Sequence, residues 1–286
     1  LPISASPEAL GIEFYRDIVR AALCEDLGQG DRTTEATIAT GQRARGELRT
    51  KEWCVLAGLD IAIEVFRQVE PAVLVVNKKL DGRECKADDL VVALEGNAEA
   101  LLKAERTALN FLQRLTGIAT AARRYVKAAA SRTTILDTRK TTPMFRALEK
   151  YAVRAGGAVN HRFALDDRLL IKDNHVRLAG SISTAVNRVR AKRLDMAIEV
   201  EVQNLTEVDE ALELGVDTVL LDNMALNELR EAIVRCRGRA MTEVSGGVTL
   251  DRIDELAALQ PTYISVGSLT HSAAAVDMSL DIRSVP

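Results

Sequence analysis

Aromatic side chains are scarce in this chain: Phe, Tyr and Trp make up 3% of its 286 residues, and Trp occurs once. That argues against the stacking surfaces on which single-stranded nucleic acids are held. A basic excess over the whole chain is missing as well. The 38 Lys and Arg face 41 Asp and Glu, for a formal net charge of -3, the wrong balance for a nucleic-acid binder. The four cysteines, Cys24, Cys54, Cys85 and Cys236, form no C-x-x-C pair. They read as reduced thiols of a cytosolic protein, with neither a zinc site nor a disulfide framework implied. No apolar run approaches the length that spans a bilayer and the first residues lack a signal-peptide layout, so a cytoplasmic protein that does not engage membranes is expected.

Against this background one segment stands out. From Asp137 to His175 there are eight Lys and Arg (Arg139, Lys140, Arg146, Lys150, Arg154, Arg162, Arg168, Lys172) and five carboxylates, a net of +3 inside an acidic chain. Arg and Lys removed from water hold carboxylates and phosphates most strongly, so the reversal points to a site for small polyanions. Within it, Arg146, Lys150 and Arg154 recur at i, i+4 and i+8 of a helix that Thr142-Pro143 opens and Gly156-Gly157 close. That stripe is expected to be a solvated surface.

The pattern along the chain changes near residue 116. Before it lie an opening helix over Glu8–Leu27, short strands such as Gly46–Thr50 and Asp89–Leu94, and turns at Gly58, Pro71, Asp81-Gly82 and Gly96-Asn97. This reads as a small α+β unit, completed by a helix over Ala98–Leu115 with one apolar face. Arg106 falls roughly 140° from the centre of that face and points away from its own core.

After it comes a β-then-α rhythm. Strands are expected at Thr134–Asp137, Arg168–Lys172, Ile198–Val202, Thr218–Asp222, Met241–Ser245 and Tyr263–Gly267, with helices such as Leu205–Leu214 and Leu226–Cys236 between them. The spacing implies parallel strands, hence an α/β barrel, for which fewer than eight strands are allowed. Polar residues recur at the C-terminal strand ends, where barrel enzymes keep their active sites. Arg139 and Lys140 follow the first strand, Lys172 ends the second, Glu201 nears the end of the third and Asp222 ends the fourth. Ser245-Gly246-Gly247 and Gly267-Ser268 follow the last two, where backbone N–H groups could cradle a phosphate. Glu201 and Asp222 either pair with buried cations or face a sugar, accepting from its hydroxyls and stabilising positive charge at its anomeric carbon. Mg²⁺ could also be met there through water.

At these residues the chain resembles the quinolinate phosphoribosyltransferases, also called carboxylating nicotinate-nucleotide pyrophosphorylases. The matching stretches are Glu105–Asn110, Asp137–Thr141, Lys150–Gly157, Asn160-His161-Arg162, Leu170–His175, Leu221-Asp222-Asn223, Ser245-Gly246-Gly247 and Val266–Ser272, in the family's order. Two positions depart from the family's habit: Ala158, where a third glycine is common, and Val244, where a smaller residue is usual.

The resemblance implies an N-terminal α+β sandwich domain over 1–116, rejoined by 271–286, and an incomplete (β/α) barrel over 117–270. It implies transfer of phosphoribose from phosphoribosyl pyrophosphate, accompanied by Mg²⁺, to quinolinate, and a homodimer in which one subunit lends Arg106 to the other's site. The quinolinate carboxylates are assigned to Arg139, His161, Arg162 and Lys172. The 5-phosphate falls to Ser245, Gly246, Gly247, Val266, Gly267 and Ser268, and pyrophosphate to Lys140 with His271, while Thr138 borders the pocket. Lys140, Glu201 and Asp222 are the expected catalytic residues, Lys140 toward pyrophosphate and the two carboxylates toward the ribose. A lyase or isomerase acting on a phosphorylated sugar could use the same phosphate site, but would not require so many cations opposite Glu201 and Asp222.

Overall fold

The computed structural model describes residues 7–192 and 195–285; the outermost residues of the expected N-terminal domain, 1–6 and 286, lie outside these. The chain divides into two compact units. One comprises the residues up to Arg123, Thr142–Gly157 and the segment from Thr270; the other comprises Arg124–Thr141 and Ala158–Leu269.

The first unit begins with a 3-10 turn at Ile12–Phe14 and then α1 (Arg16–Leu27), so the opening helix is shorter than its expected span. Then follow α2 (Arg32–Thr37), β1 (Arg43–Thr50), β2 (Cys54–Val55), α3 (Leu59–Val69), β3 (Leu74–Lys78), β4 (Glu84–Cys85) and β5 (Leu90–Asn97). Asp31 caps α2 by accepting from the Thr34 amide at 3.0 Å, as an N-cap aspartate does. Side chains of β1 alternate in burial, which lets one face cover Leu48 and Leu94.

Next comes α4 (Ala98–Ala129), which runs 32 residues and so passes well beyond Leu115. Gly117 looks like a breaker in sequence, yet it serves a close approach: a Cβ there would collide with the Ala274 carbonyl. Glycine inside a helix costs about 1 kcal/mol relative to alanine, too little to stop so long a helix.

The chain then alternates through β6 (Thr134–Leu136), α5 (Arg146–Ala155), β7 (Leu169–Ile171), α6 (Asp173–Ala179), α7 (Ile182–Ala191), β8 (Ile198–Val202), α8 (Leu205–Glu213), β9 (Thr218–Asp222), α9 (Leu226–Cys236), β10 (Met241–Ser245), α10 (Ile253–Ala258), β11 (Tyr263–Ser265) and the four-residue α11 (Ser268–His271). It ends in β12 (Met278–Ser284), which pairs antiparallel with β1 at the edge of a sheet ordered β12-β1-β5-β3.

α5 belongs to the first unit and starts three residues later than Pro143. Met144 has a φ of +67°, a left-handed value that no helix can run through. The surface stripe expected on α5 is corrected as well. Arg154 is exposed, but Lys150 is 2% exposed, inside the unit's core. Buried Glu149 is paired there with Arg114 at 3.0 Å, so α5 presents charged side chains inward on more than one face.

In the second unit six strands form one sheet ordered β6-β11-β10-β9-β8-β7, all its ladders parallel. Sequence order therefore winds round the sheet, but β6 and β7 do not pair, and the (β/α) barrel is incomplete. Val159 forms a parallel bridge to Leu136 on the outer side of β6, which brings the following residues, His161 and Arg162, to the open seam. Val200, Val202, Val219, Leu221 and Val244 are buried. The residues alternating with them, Glu199, Glu201, Leu220, Asp222, Glu243 and Ser245, share the other, inner face.

Candidate active site

That inner face opens at the C-terminal strand ends into a cavity of about 540 Å³, within the usual size of a small-molecule site. Each of the six strands or the loop after it contributes to its wall. Of the expected residues the cavity gathers Thr138, Arg139, Lys140, His161, Arg162, Lys172, Glu201, Asp222, Ser245, Gly246 and Gly247. It does not gather Arg106, Val266, Gly267, Ser268 or His271. Arg106 is exposed on α4, in the first unit. Val266 is buried and donates its amide to the Leu136 carbonyl at 2.9 Å, while β11 reaches the cavity through Ser265. His271 is exposed at the end of α11 and contacts Ser272. Ala158 and Val244 are buried outside the lining.

The cationic wall is built by local chemistry. Asp137, fully buried at the end of β6, accepts from the His161 amide at 2.8 Å and the Asn160 side chain at 2.6 Å. It thereby fastens the His161-Arg162 segment to the strand that leads into Arg139. Arg162 donates to the Arg168 carbonyl at 3.0 Å. Burial, and next the positive charge of Arg139, push the Arg162 guanidinium below its ordinary range. The Arg139 Nε is itself buried and has no acceptor. Two guanidinium groups close enough to repel, one of them with a buried donor lacking an acceptor, form a wall whose strain an anion would relieve.

Lys172 starts α6, and its amide donates to His175 Nδ1 at 2.9 Å. His175 thus orients the Lys172 loop and stands outside the cavity. The Lys172 Nζ lies 3.8 Å from Glu201 Oε2. Burial raises the Glu201 carboxyl above the ordinary carboxylate range, with Lys172 drawing it down and Asp222 pushing it up. On the far wall Asn223, at φ +54°, donates to Asp222 Oδ2 at 2.8 Å. Gly246 has a φ of +87°, and a Cβ there would collide with the Asn223 side chain. Glycine is therefore required, and the loop after β10 lies flat on the loop after β9. A 3-10 turn at Leu250–Arg252 precedes α10, so an anion at Ser245-Gly246-Gly247 would be met by the amides of the loop itself.

The floor of the cavity is a cluster of which the sequence analysis named only His161. Glu199 of β8 and Glu243 of β10, each 1% exposed, flank the His161 Nε2 at 3.3 Å apiece. The missed signal was an acidic residue in the middle of each of two buried strands, in a layer that barrels usually fill with Val, Ile and Leu. Burial works against a charge on His161, but the two carboxylates outweigh it and push its pKa up to about 9. Burial pushes Glu199 up as well.

One His and two Glu within 4.8 Å of each other would suit a metal ion by composition. The histidine's hydrogen bonding opposes it. His161 Nδ1 accepts from the Arg162 amide at 2.7 Å, so the ring proton sits on Nε2, the atom that would have to ligate. Ligating histidines use the reverse arrangement, donating from their second nitrogen.

Comparison with known proteins supplies the context. Residues 118–281 match the model of the quinolinate phosphoribosyl transferase C-terminal domain and residues 31–116 that of the N-terminal domain. The chain is 41% identical over 283 residues to a probable carboxylating nicotinate-nucleotide pyrophosphorylase of Methanocaldococcus jannaschii, covering 94% of this chain and 98% of that one. It is 40% identical over 274 residues to the carboxylating nicotinate-nucleotide pyrophosphorylase of Mycobacterium leprae, covering 93% and 96%. Among solved structures, NadC from Streptococcus pyogenes superposes with a TM-score of 0.94 at 40% identity, covering 98% of this chain and 100% of that one.

Proposed function

The chain belongs to the quinolinate phosphoribosyltransferase family, and from that premise we propose how its residues divide the work of the reaction. The enzyme joins quinolinate to phosphoribosyl pyrophosphate and yields nicotinate mononucleotide, pyrophosphate and CO₂, a step in NAD biosynthesis.

Quinolinate carries two adjacent carboxylates, and the under-compensated cationic wall is their complement. Arg139, with its buried Nε lacking an acceptor, is the single observation that carries this assignment. Arg139 and Arg162 clamp the dicarboxylate and Lys172 adds a third charge, which aims the ring nitrogen at the sugar. The phosphate end of the sugar rests on Ser245-Gly246-Gly247, and Lys140 faces the pyrophosphate, with Thr138 at the border.

The ring nitrogen forms a bond to the anomeric carbon as the bond to pyrophosphate breaks and takes its electron pair with it. Positive charge builds on the sugar in between, and Glu201 and Asp222 stabilise it from the opposite wall. Mg²⁺ accompanying phosphoribosyl pyrophosphate would be met through water by Glu201 and Asp222 and would supply charge against that of pyrophosphate. The glycosylated nitrogen is cationic, so the pyridinium ring accepts the electron pair left when the neighbouring carboxylate leaves as CO₂. A proton from water then takes its place on carbon, and no dedicated base is needed.

A homodimer in which Arg106 of one subunit reaches the other's cavity accounts for an arginine exposed on α4 and outside its own chain's cavity lining. Four free thiols accord with a cytoplasmic setting. Incubating the protein with quinolinate, phosphoribosyl pyrophosphate and Mg²⁺ should release CO₂ and nicotinate mononucleotide in equal amounts. Binding of nicotinate mononucleotide without consumption of quinolinate would overturn this reading in favour of a nucleotide sensor.

A further inference from the structure

We propose that His161 is a positioning residue for Arg162, its ring locked as the Nε2–H tautomer between the Arg162 amide and the buried Glu199–Glu243 pair, and that neither ring nitrogen binds quinolinate. This rests on the reading of Arg162 as a quinolinate ligand and adds a support beneath it.

The geometry leaves the ring little choice. Nδ1 lies 2.7 Å from the Arg162 nitrogen, which donates to it, so Nδ1 must present its lone pair. Nε2 lies 3.3 Å from an oxygen of each glutamate, so Nε2 must present a proton. Both ring nitrogens are therefore used within the protein, and the ring is 8% exposed. A substrate carboxylate meeting either nitrogen would have to displace a contact that holds the Arg162 peptide or the floor of the barrel.

The floor explains why the second proton stays off the ring. A charged imidazolium over two carboxylates and a neutral imidazole over one carboxylate and one carboxylic acid carry the same net charge. They differ in where one proton sits. A proton on Nδ1 would face the Arg162 N–H, a donor against a donor. On Glu199 it relieves a carboxyl whose two oxygens are both buried without a hydrogen bond of good geometry, where an ionised group is costly. The rise in the affinity of His161 and Glu199 for protons then describes one shared proton, which titrates with the cluster as a whole.

Burial and the neighbouring charge of Glu243 favour the proton on Glu199, and the more distant Arg168 opposes it. Arg168 approaches Glu199 at 3.9 Å, Glu243 stays below its ordinary range through His161 and Ser265 despite its burial, and Arg139 and Arg162 lie on the cavity side. The ion-pair cluster thus transmits the position of β8 and β10 through the imidazole to the Arg162 backbone. With Asp137 holding the His161 amide, the two-residue segment is fixed from both sides.

The test uses the intact enzyme and its three histidines, whose ring nitrogens can be followed by ¹⁵N NMR. Without substrate, His161 should show a protonated Nε2 and an unprotonated Nδ1 across neutral pH, and adding quinolinate should leave that tautomer unchanged. A protonated Nδ1, or a switch of tautomer on adding quinolinate, would overturn the proposal.

Variants supply the second arm. Misplacing Arg162 in His161→Ala should raise the KM for quinolinate about 100-fold, the scale of an error of an ångström in a clamp. His161→Asn, whose side-chain oxygen falls where Nδ1 sits and accepts the Arg162 amide, should recover most of that loss; equal losses in the two folded variants count against it. If the wild type itself fails to consume quinolinate, the family reading fails, whereas an active wild type with an imidazolium at His161 sinks the positioning role alone.

Discussion

Glu199 and Glu201 are the same side chain on the same face of one strand, one layer apart, and they live under different rules. Glu201 stands at the rim, half-buried, 3.8 Å from the exposed Lys172. Glu199 lies on the floor, sealed from water, with an imidazole as its near neighbour. The contrast repeats on β10 between Ser245 at the rim and Glu243 below it. Depth along the strand decides the chemistry: rim groups keep their charge available to a substrate, and floor groups spend theirs on one another. On the division of work proposed above, the rim does the chemistry and the floor holds the rim still.

Changing the rim should therefore act on turnover. Glu201→Gln and Asp222→Asn should each lower kcat by about 100-fold to 1000-fold, the usual loss when one electrostatic stabiliser is removed, with the quinolinate KM little changed. Steady-state kinetics check this, and a loss confined to KM would place these carboxylates in ground-state binding instead.

The rim also extends beyond one chain if Arg106 is shared. Mixing Arg106→Ala subunits with Lys172→Ala subunits should restore a measurable fraction of activity, because each hybrid dimer regains one complete site. No recovery after verified subunit exchange would confine the site to a single chain.

Changing the floor should act on stability, and unequally. Glu199→Gln substitutes a neutral amide for the carboxyl proposed to hold the shared proton and should cost about 1 kcal/mol or less. Glu243→Gln removes the ionised partner and should cost about 3 kcal/mol. Denaturant unfolding separates the two, and equal costs would erase the asymmetry.

The smallest effect is the pH dependence. The proton that His161 shares with its two carboxylates is held up to about 9 in the folded protein, against an ordinary histidine value of 6.5. The cluster's contribution is thus fully present below 6.5 and is lost as pH rises through about 9. Melting temperatures of the wild type should fall over that window relative to His161→Asn; parallel curves would show that the cluster does not hold the proton.

The same distinction of depth explains what could be read in advance. The spans of β8, β9, β10 and α9 were legible, because short β-rich runs and closing glycines mark them directly. Rim residues such as Lys172 and Asp222 were legible because strand ends are visible in the pattern. Glu199 and Glu243 were not, since nothing local says that a glutamate in the middle of a strand faces a histidine from the open seam. Lys150 misled for a related reason: a lysine at surface spacing is sealed inside.

As proposed, the pair of arginines at the rim receives the two carboxylates of quinolinate. Turnover of quinolinate by a folded Arg139→Ala protein tests it most directly. The account predicts no detectable nicotinate mononucleotide or CO₂ from a protein with wild-type circular dichroism and melting behaviour, and ordinary turnover by that variant would contradict it.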